Sequence, residues 1–316
     1  MISRQKLEER QIEIYALTFI ISALLGLMWE GSYNLQNLIN PIIAVLLYSM
    51  FCQIPFLELK QAFRNRSFFK ALLVGNFMII PFLVWGLVTI FPTVPLVKLG
   101  VLLVLLTPCI DYVIVFTHLG KGDSKAILAS TPSLFLFQLL LLPVYFWKFL
   151  GVDAMKIIDL TPFFKALLYV VILPFILSLL TQLSAQSNSM GRATLRLTSW
   201  LPVPFMAFTF FVVIASQIRG VTQFPEPVYS VIPIYVLFAV IAPFIGFLAA
   251  RIFKVDAGGS RAVIFSTSTR NSLVVLPLAF SLPAPDHHLI AVVIVTQTII
   301  ELFFELIYIK VVPKLF

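Results

Sequence analysis

The sequence predicts an all-α membrane protein of ten transmembrane helices, built as two inverted five-helix repeats with crossed, discontinuous fourth and ninth helices. Three observations lead there: the bulk composition, a recurring offset between spans, and paired polar breaks inside apolar segments. The 316 residues are 60% hydrophobic and 11% charged, where a soluble domain carries about 25% charged residues. So few charged groups cannot cover a surface in water, which excludes a soluble enzyme. The apolar residues number about 190, enough for roughly ten spans of ~20 residues each. The net charge of +8 is no sign of nucleic-acid binding, because no basic stripe or basic-aromatic patch accompanies it. Two cysteines cannot support a disulfide framework.

Apolar runs bounded by polar breaks place the spans at about 13–29, 38–57, 70–92, 96–118, 126–149, 160–183, 197–217, 229–252, 260–282 and 287–310. The first ends at Trp29-Glu30 without a small-x-small cleavage site, so it reads as a retained span rather than a signal peptide. Between the second and third, Lys60, Arg64, Arg66 and Lys70 alternate with Leu59, Phe63, Phe68 and Phe69, the pattern of an interfacial amphipathic helix over 58–70. The remaining connections are short. Placing the N-terminus in the cytoplasm puts 16 of the 22 Lys and Arg residues inside and 5 outside, with Arg270 left within a span. That asymmetry predicts a multi-pass plasma (inner) membrane protein with both termini cytoplasmic.

One offset relates several spans. Pro81-Phe82 matches Pro243-Phe244 at 162 residues, and Pro41-x-x-Ala44 matches Pro204-x-x-Ala207 at 163. Gln138 and Tyr145 match Glu301 and Tyr308 at 163, and Thr107 matches Thr269 at 162. A single polytopic domain, 1–316, therefore divides into repeats of about 11–150 and 158–312. Five spans is an odd number, so the second copy lies upside down relative to the first, an architecture recurrent in secondary transporters.

The fourth and ninth spans carry the breaks. One reads Thr107-Pro108-Cys109-Ile110-Asp111, and the other runs from Ser266 through Thr267, Ser268, Thr269, Arg270 and Asn271 to Ser272. Proline removes a backbone donor and clashes with the preceding turn. Irregular backbone at membrane depth survives only where protein or a water-filled cavity covers it. The equivalent positions predict two unwound helices that cross, their free N–H and C=O ends available to ions.

Four ionisable residues fall inside spans: Asp111, Arg270, Glu301 and Glu305. Such residues are expensive in a bilayer and usually face a partner or a pathway. Asp111 and Arg270, at similar depth on the two broken helices, are expected to pair. Glu301 is the candidate ion-coupling carboxylate, with Glu305 one turn further, and Gln138 and Gln297 are neutral ligands on the same helices. Cys109 is the thiol nearest the midplane, and Cys52 lies toward the cytoplasmic end of the second span. No His/Cys/Asp spacing resembles a metal site and no phosphate-binding loop is present.

At these residues the chain resembles the bile acid:sodium symporter superfamily, and within it the arsenical-resistance (arsenite efflux) permeases. Their fourth-span run of Cys-Ile-x-x-Val-x-Val, an aromatic, then Leu-x-x-Gly-Asp is matched by Cys109, Ile110, Val113, Val115, Phe116, Leu119, Gly122 and Asp123. Their last-span acid falls on Glu301. The resemblance implies a panel domain and a core domain, with alternating access from movement between them. It departs at Pro108, where those permeases carry Arg, and at Arg270-Asn271-Ser272-Leu273, where they read Asn-Asn-Phe-Glu. The expected activity is ion-coupled secondary transport without an organic cofactor, and not enzymatic. The first reading is arsenite/proton antiport. Substrate would meet Thr107, Cys109, Asp111, Thr269, Arg270 and Asn271, while Glu301, Gln138 and Gln297 would hold the coupling ion. The alternative is sodium-coupled symport of an organic anion, and a non-transporting membrane receptor or scaffold is the reading from another class. The partners expected are a small inorganic or organic anionic solute and the lipid bilayer.

Overall fold

The computed structural model of the chain describes residues 10–54, 65–110, 112–150, 167–223, 225–280 and 286–315, with Leu7, Phe56, Lys165 and Leu282. These residues are helical almost throughout, and the one β-type pairing among them is an isolated bridge. The helices are α1 (Gln11–Met28), α2 (Ile39–Phe51), α3 (Arg66–Val74), α4 (Ile80–Ile90), α5 (Pro95–Leu105), α6 (Val113–Leu119) and α7 (Ser124–Leu150). They continue with α8 (Leu173–Ser187), α9 (Ser189–Thr198), α10 (Pro202–Gln223), α11 (Pro225–Ile252), α12 (Ala257–Ser268), α13 (Ser272–Phe280) and α14 (Asp286–Val311).

Among the described residues, seven helical segments are long and apolar enough to cross a membrane: Glu30–Phe51, Arg66–Ile90, Ser124–Phe149, Leu167–Ser187, Pro202–Arg219, Pro225–Ile252 and His288–Lys314. They coincide with the second, third, fifth, sixth, seventh, eighth and tenth predicted spans. The first span lies on α1, whose apolar stretch Glu13–Met28 is shorter. The fourth and ninth are each split, into α5 and α6 and into α12 and α13. Outward-facing apolar side chains recur at helical spacing, as in Leu17, Ile20, Ile21 and Leu24 on α1 and Val240, Phe244, Leu248 and Ile252 on α11. That is a lipid-facing stripe, not a soluble surface.

The predicted interfacial helix is only partly described, since 57–64 lie outside the described residues. Its end differs from the expectation. Arg66 to Lys70 open the transmembrane helix α3 instead, capped by Asn65, whose Oδ1 accepts the Phe68 N–H at 3.1 Å. Phe68 and Phe69 are buried in protein, which draws this turn inward from an interface.

The described chain divides into two compact units. The first takes Met1–Gln53, Leu160–Pro225 and Leu276–Val292. Within it α10 packs along α1 at Gly26, where a Cβ would fall 2.5 Å from the Ala215 carbonyl oxygen. Arg219 on α10 donates to the Gly26 and Leu27 carbonyls, both at 3.0 Å, and so caps the end of α1.

The second unit takes Ile54–Asp159, Glu226–Val275 and Val293–Phe316. Here α12 lies against α3, α6, α7 and α11. Gly246 permits the last approach, because a Cβ would lie 2.7 Å from Ile264 Cα and 2.3 Å from Thr267 Oγ1. Of the prolines that interrupt helices in this unit, Pro81 and Pro243 have their interruptions closed in the same way. Pro81, at the start of α4, cannot donate to the carbonyl four residues earlier, and Tyr145 from α7 donates its hydroxyl to that Phe77 oxygen at 2.6 Å. Pro243, inside α11, leaves the Ala239 carbonyl free, and the Tyr308 hydroxyl from α14 donates to it. These are the residues that the recurring offset relates.

A buried carbonyl deprived of its donor costs about 1–3 kcal/mol. Tyr308→Phe should therefore lower thermal stability by that order, and Tyr145→Phe should do the same. Adding Pro243→Ala to Tyr308→Phe returns a backbone donor to Ala239 and should recover most of the loss. Additive losses in the double mutant would refute the pairing.

Candidate functional site

The second unit holds the site, and its geometry begins with two helix ends. Helix α5 stops at Leu105 because Pro108 brings no amide hydrogen to continue the ladder. The Thr107 hydroxyl turns back onto its own helix, near the Leu103 and Val104 carbonyls at 2.9 and 3.1 Å. Helix α12 stops at Ser268, where Thr269 becomes extended (φ −95, ψ 130). The two irregular segments then satisfy each other. Cys109 N–H donates to the Thr269 carbonyl at 3.1 Å, and Asn271 N–H donates to the Thr107 carbonyl at 2.8 Å. The result is an antiparallel bridge pairing Pro108 with Arg270. Asn271 also opens α13, its Oδ1 accepting the Val274 N–H at 3.1 Å. Two broken helices thus meet backbone to backbone in a fully buried environment.

Two acids on α14 reach this crossover one turn apart. Glu301 Oε2 accepts the Arg270 backbone N–H at 2.8 Å and the Gln297 side-chain amide at 2.5 Å. Its Oε1 lies 2.7 Å from the Tyr112 hydroxyl, which also lies 2.7 Å from the Arg270 carbonyl oxygen. Glu305 Oε1 lies 2.7 Å from the Thr269 hydroxyl, which lies 2.6 Å from the Phe265 carbonyl oxygen. A hydroxyl carries one hydrogen and a carbonyl carries none. Both contacts at Tyr112 are therefore filled only when Glu301 itself holds a proton, and both at Thr269 only when Glu305 does. The second oxygen of Glu305 is buried with no hydrogen-bond partner among the described residues. A cavity of about 10 Å³, the size of roughly one water, is lined by Glu301, Gln297, Ser268, Tyr235 and Tyr308 among others.

Arg270 is 0% exposed. Its guanidinium donates to Asn76 Oδ1 at 2.8 Å, to the Ser266 and Thr267 carbonyls at 2.8 and 2.6 Å, and to the Leu105 carbonyl at 3.4 Å. It also sits 5.4 Å from the ring centre of Phe238.

The crossover brings together seven of the residues expected to contact substrate or coupling ion, Thr107, Cys109, Thr269, Arg270, Asn271, Gln297 and Glu301, and Glu305 joins them. Gln138 is not joined to them. It is buried on α7, with its Oε1 unpartnered. Asp111, the expected partner of Arg270, lies outside the described residues. Cys109 and Cys52 are both buried, and neither forms a disulfide among the described residues. Three participants were not singled out as ligands: Asn76, Tyr112 and Phe238. Asn76 had a visible signal, being the only amide in the apolar run 70–92. Tyr112 directly follows the fourth-span break.

Seven helices long and apolar enough to cross a membrane among the described residues, and a buried meeting of two broken helices within the second unit, fit a multi-pass membrane transporter. Residues 40–224, more than half of the chain, match the sodium bile acid symporter family, and the chain belongs to that family. Its members are transporters and not enzymes. No individual curated protein matches the chain.

Tyr112→Phe leaves the Arg270 carbonyl and Glu301 Oε1 without their shared hydroxyl. It should destabilise the purified protein by about 1–3 kcal/mol, measured as a fall in thermal midpoint. A Tyr112→Phe variant as stable as the parent would remove this hydroxyl from the network.

Proposed function

We propose that this protein is a proton-coupled secondary transporter of the arsenical-resistance type, exchanging arsenite or a related small solute for protons. The observation that carries the reading is the pair of hydroxyls, Tyr112 and Thr269, each lying between a backbone carbonyl and a buried carboxyl group. Both positions are satisfied when Glu301 and Glu305 hold protons. Releasing a proton removes a hydrogen bond from the crossover and adds a charge to it, and intramembrane charges cost at least about 2.5–3.5 kcal/mol each. Counting only the described groups, Arg270, Glu301 and Glu305, the net charge falls by one with each proton released. Proton loss therefore changes both the bonding and the field at the crossing helices, which is what coupling requires. The Cys109 thiol is the substrate contact in this reading, supported by its place in the bridge itself. Thr107, Thr269, Arg270 and Asn271 share the crossover with it, Asp111 is kept as a substrate contact from its place in the sequence alone, and Gln297 assists Glu301.

We also read the chain as ten spans in two inverted repeats, moving as a panel and a core. Support comes from the two compact units, with the whole crossover in one of them, and from the proline–tyrosine closure that recurs at the duplicated positions. The distribution of Lys and Arg supports a plasma-membrane orientation with both ends cytoplasmic.

A second reading is sodium-coupled symport of an organic anion, favoured by the family match. There Arg270 would meet the carboxylate or sulfonate. It ranks second because Arg270 is 0% exposed and its Nη2 is already directed at three protein oxygens.

Flux into proteoliposomes under imposed proton or sodium gradients, with arsenite or an anionic steroid as solute, separates the two. The expected result is arsenite movement driven by the proton gradient, reduced to the rate of protein-free vesicles in Glu301→Gln and strongly reduced in Cys109→Ala. Steroid uptake that requires sodium would establish the second reading instead. Full proton-driven flux in Glu301→Gln would sink the coupling role.

A further inference from the structure

The surroundings of the Arg270 guanidinium have the chemistry of an ion site. Three of its acceptors are main-chain carbonyls at the C-terminal ends of half-helices: Ser266 and Thr267 from α12, and Leu105 from α5. Those ends lack intrahelical donors and carry the negative pole of the helix dipole. The fourth acceptor is Asn76 Oδ1, and its orientation is fixed. The Asn76 Nδ2 is committed to the Leu72 carbonyl at 3.1 Å and to Ser266 Oγ at 3.0 Å, which leaves the oxygen to face the guanidinium. A π-helical turn, Gly75–Ile79, carries Asn76 into this position, the kind of local irregularity that often marks a functional site. Among the described residues the hydrogen-bond partners of the guanidinium are therefore four neutral oxygens and no carboxylate. Converging carbonyl and amide oxygens are how membrane proteins hold alkali cations, and unwound half-helix ends are where transporters do so.

We propose that Arg270 is a tethered cation filling a monovalent-cation site made by the carbonyls of Leu105, Ser266 and Thr267 with Asn76 Oδ1. The side chain cannot leave, so this site holds one positive charge throughout the transport cycle and does not load or release an ion. Among the described residues of the crossover, exchangeable charge is then left to Glu301 and Glu305. A sodium ion that drives transport has to bind elsewhere. The inference deepens the coupling reading above, and it makes a prediction about binding alone. Removing the side chain should leave an oxygen cage that takes sodium.

The test is thermal unfolding of the purified protein in detergent, in sodium chloride or in choline chloride of equal ionic strength. The parent should melt at the same temperature in both. Arg270→Ala should melt about 5 °C higher in sodium once sodium exceeds its Kd a hundredfold. Adding Asn76→Ala should abolish that difference. If Arg270→Ala does not survive in choline, monodisperse elution in sodium and aggregation in choline give the same answer. Aggregation in both salts overturns the proposal. So does an Arg270→Ala variant that melts identically in both, a parent stabilised by sodium as much as the variant, or a double mutant that keeps the shift. The readout is binding, so failure of the proton-driven flux would leave it standing, and failure here would leave the flux result standing.

Discussion

Two backbone hydrogen bonds, Cys109 to Thr269 and Asn271 to Thr107, hold the rest of this site in place. A helix that stops inside a bilayer leaves peptide groups that neither water nor lipid can satisfy. Here two helices stop at the same place, and each supplies what the other lacks. The remaining free groups define the chemistry. Carbonyls left at the ends of α5 and α12 gather a cation, and the Arg270 peptide N–H gathers a carboxyl group. Neither would have a fixed position without the bridge.

The bridge also explains why so many polar groups tolerate complete burial. Burying a polar group costs several kcal/mol unless it is hydrogen-bonded, and the crossover meets that condition by chaining groups together. Tyr112 links the Arg270 carbonyl to Glu301, Gln297 holds the other oxygen of Glu301, and Thr269 links α12 to Glu305. In such a chain the state of one proton is felt by each neighbour. The acids are therefore tied to the helix breaks themselves, so a change at Glu301 is a change in how α12 and α13 are joined.

Much of this was legible in the sequence because the constraints are local. Pro108 ends a helix wherever it stands, a run of hydroxyl and amide side chains from Thr267 to Ser272 does not belong in lipid, and an Arg within a span demands compensation. Glu301 could be found by the same reasoning. What the sequence did not reveal was partnership. The acceptors of Arg270 are mostly main-chain carbonyls, which every residue possesses, and nothing in the chain marks those of Leu105 or Ser266 as different. Glu305, one turn nearer the helix end, is indistinguishable from an interfacial acid until Thr269 is seen against it. Asn76 shows the opposite case, an isolated amide in an apolar run whose partner lies 194 residues away.

The proline–tyrosine contacts bear on mechanics as well as stability. In an ordinary helix the bend at a proline is governed by the helix itself. In α4 and α11 the missing bond is made by a hydroxyl on another helix, so their curvature is set from outside, by α7 and α14 respectively. Tyr308 stands three residues beyond Glu305 on α14. The helix that carries both acids is therefore also the one that latches α11, and displacing it lengthways would tug on a bend and on two buried acids at once.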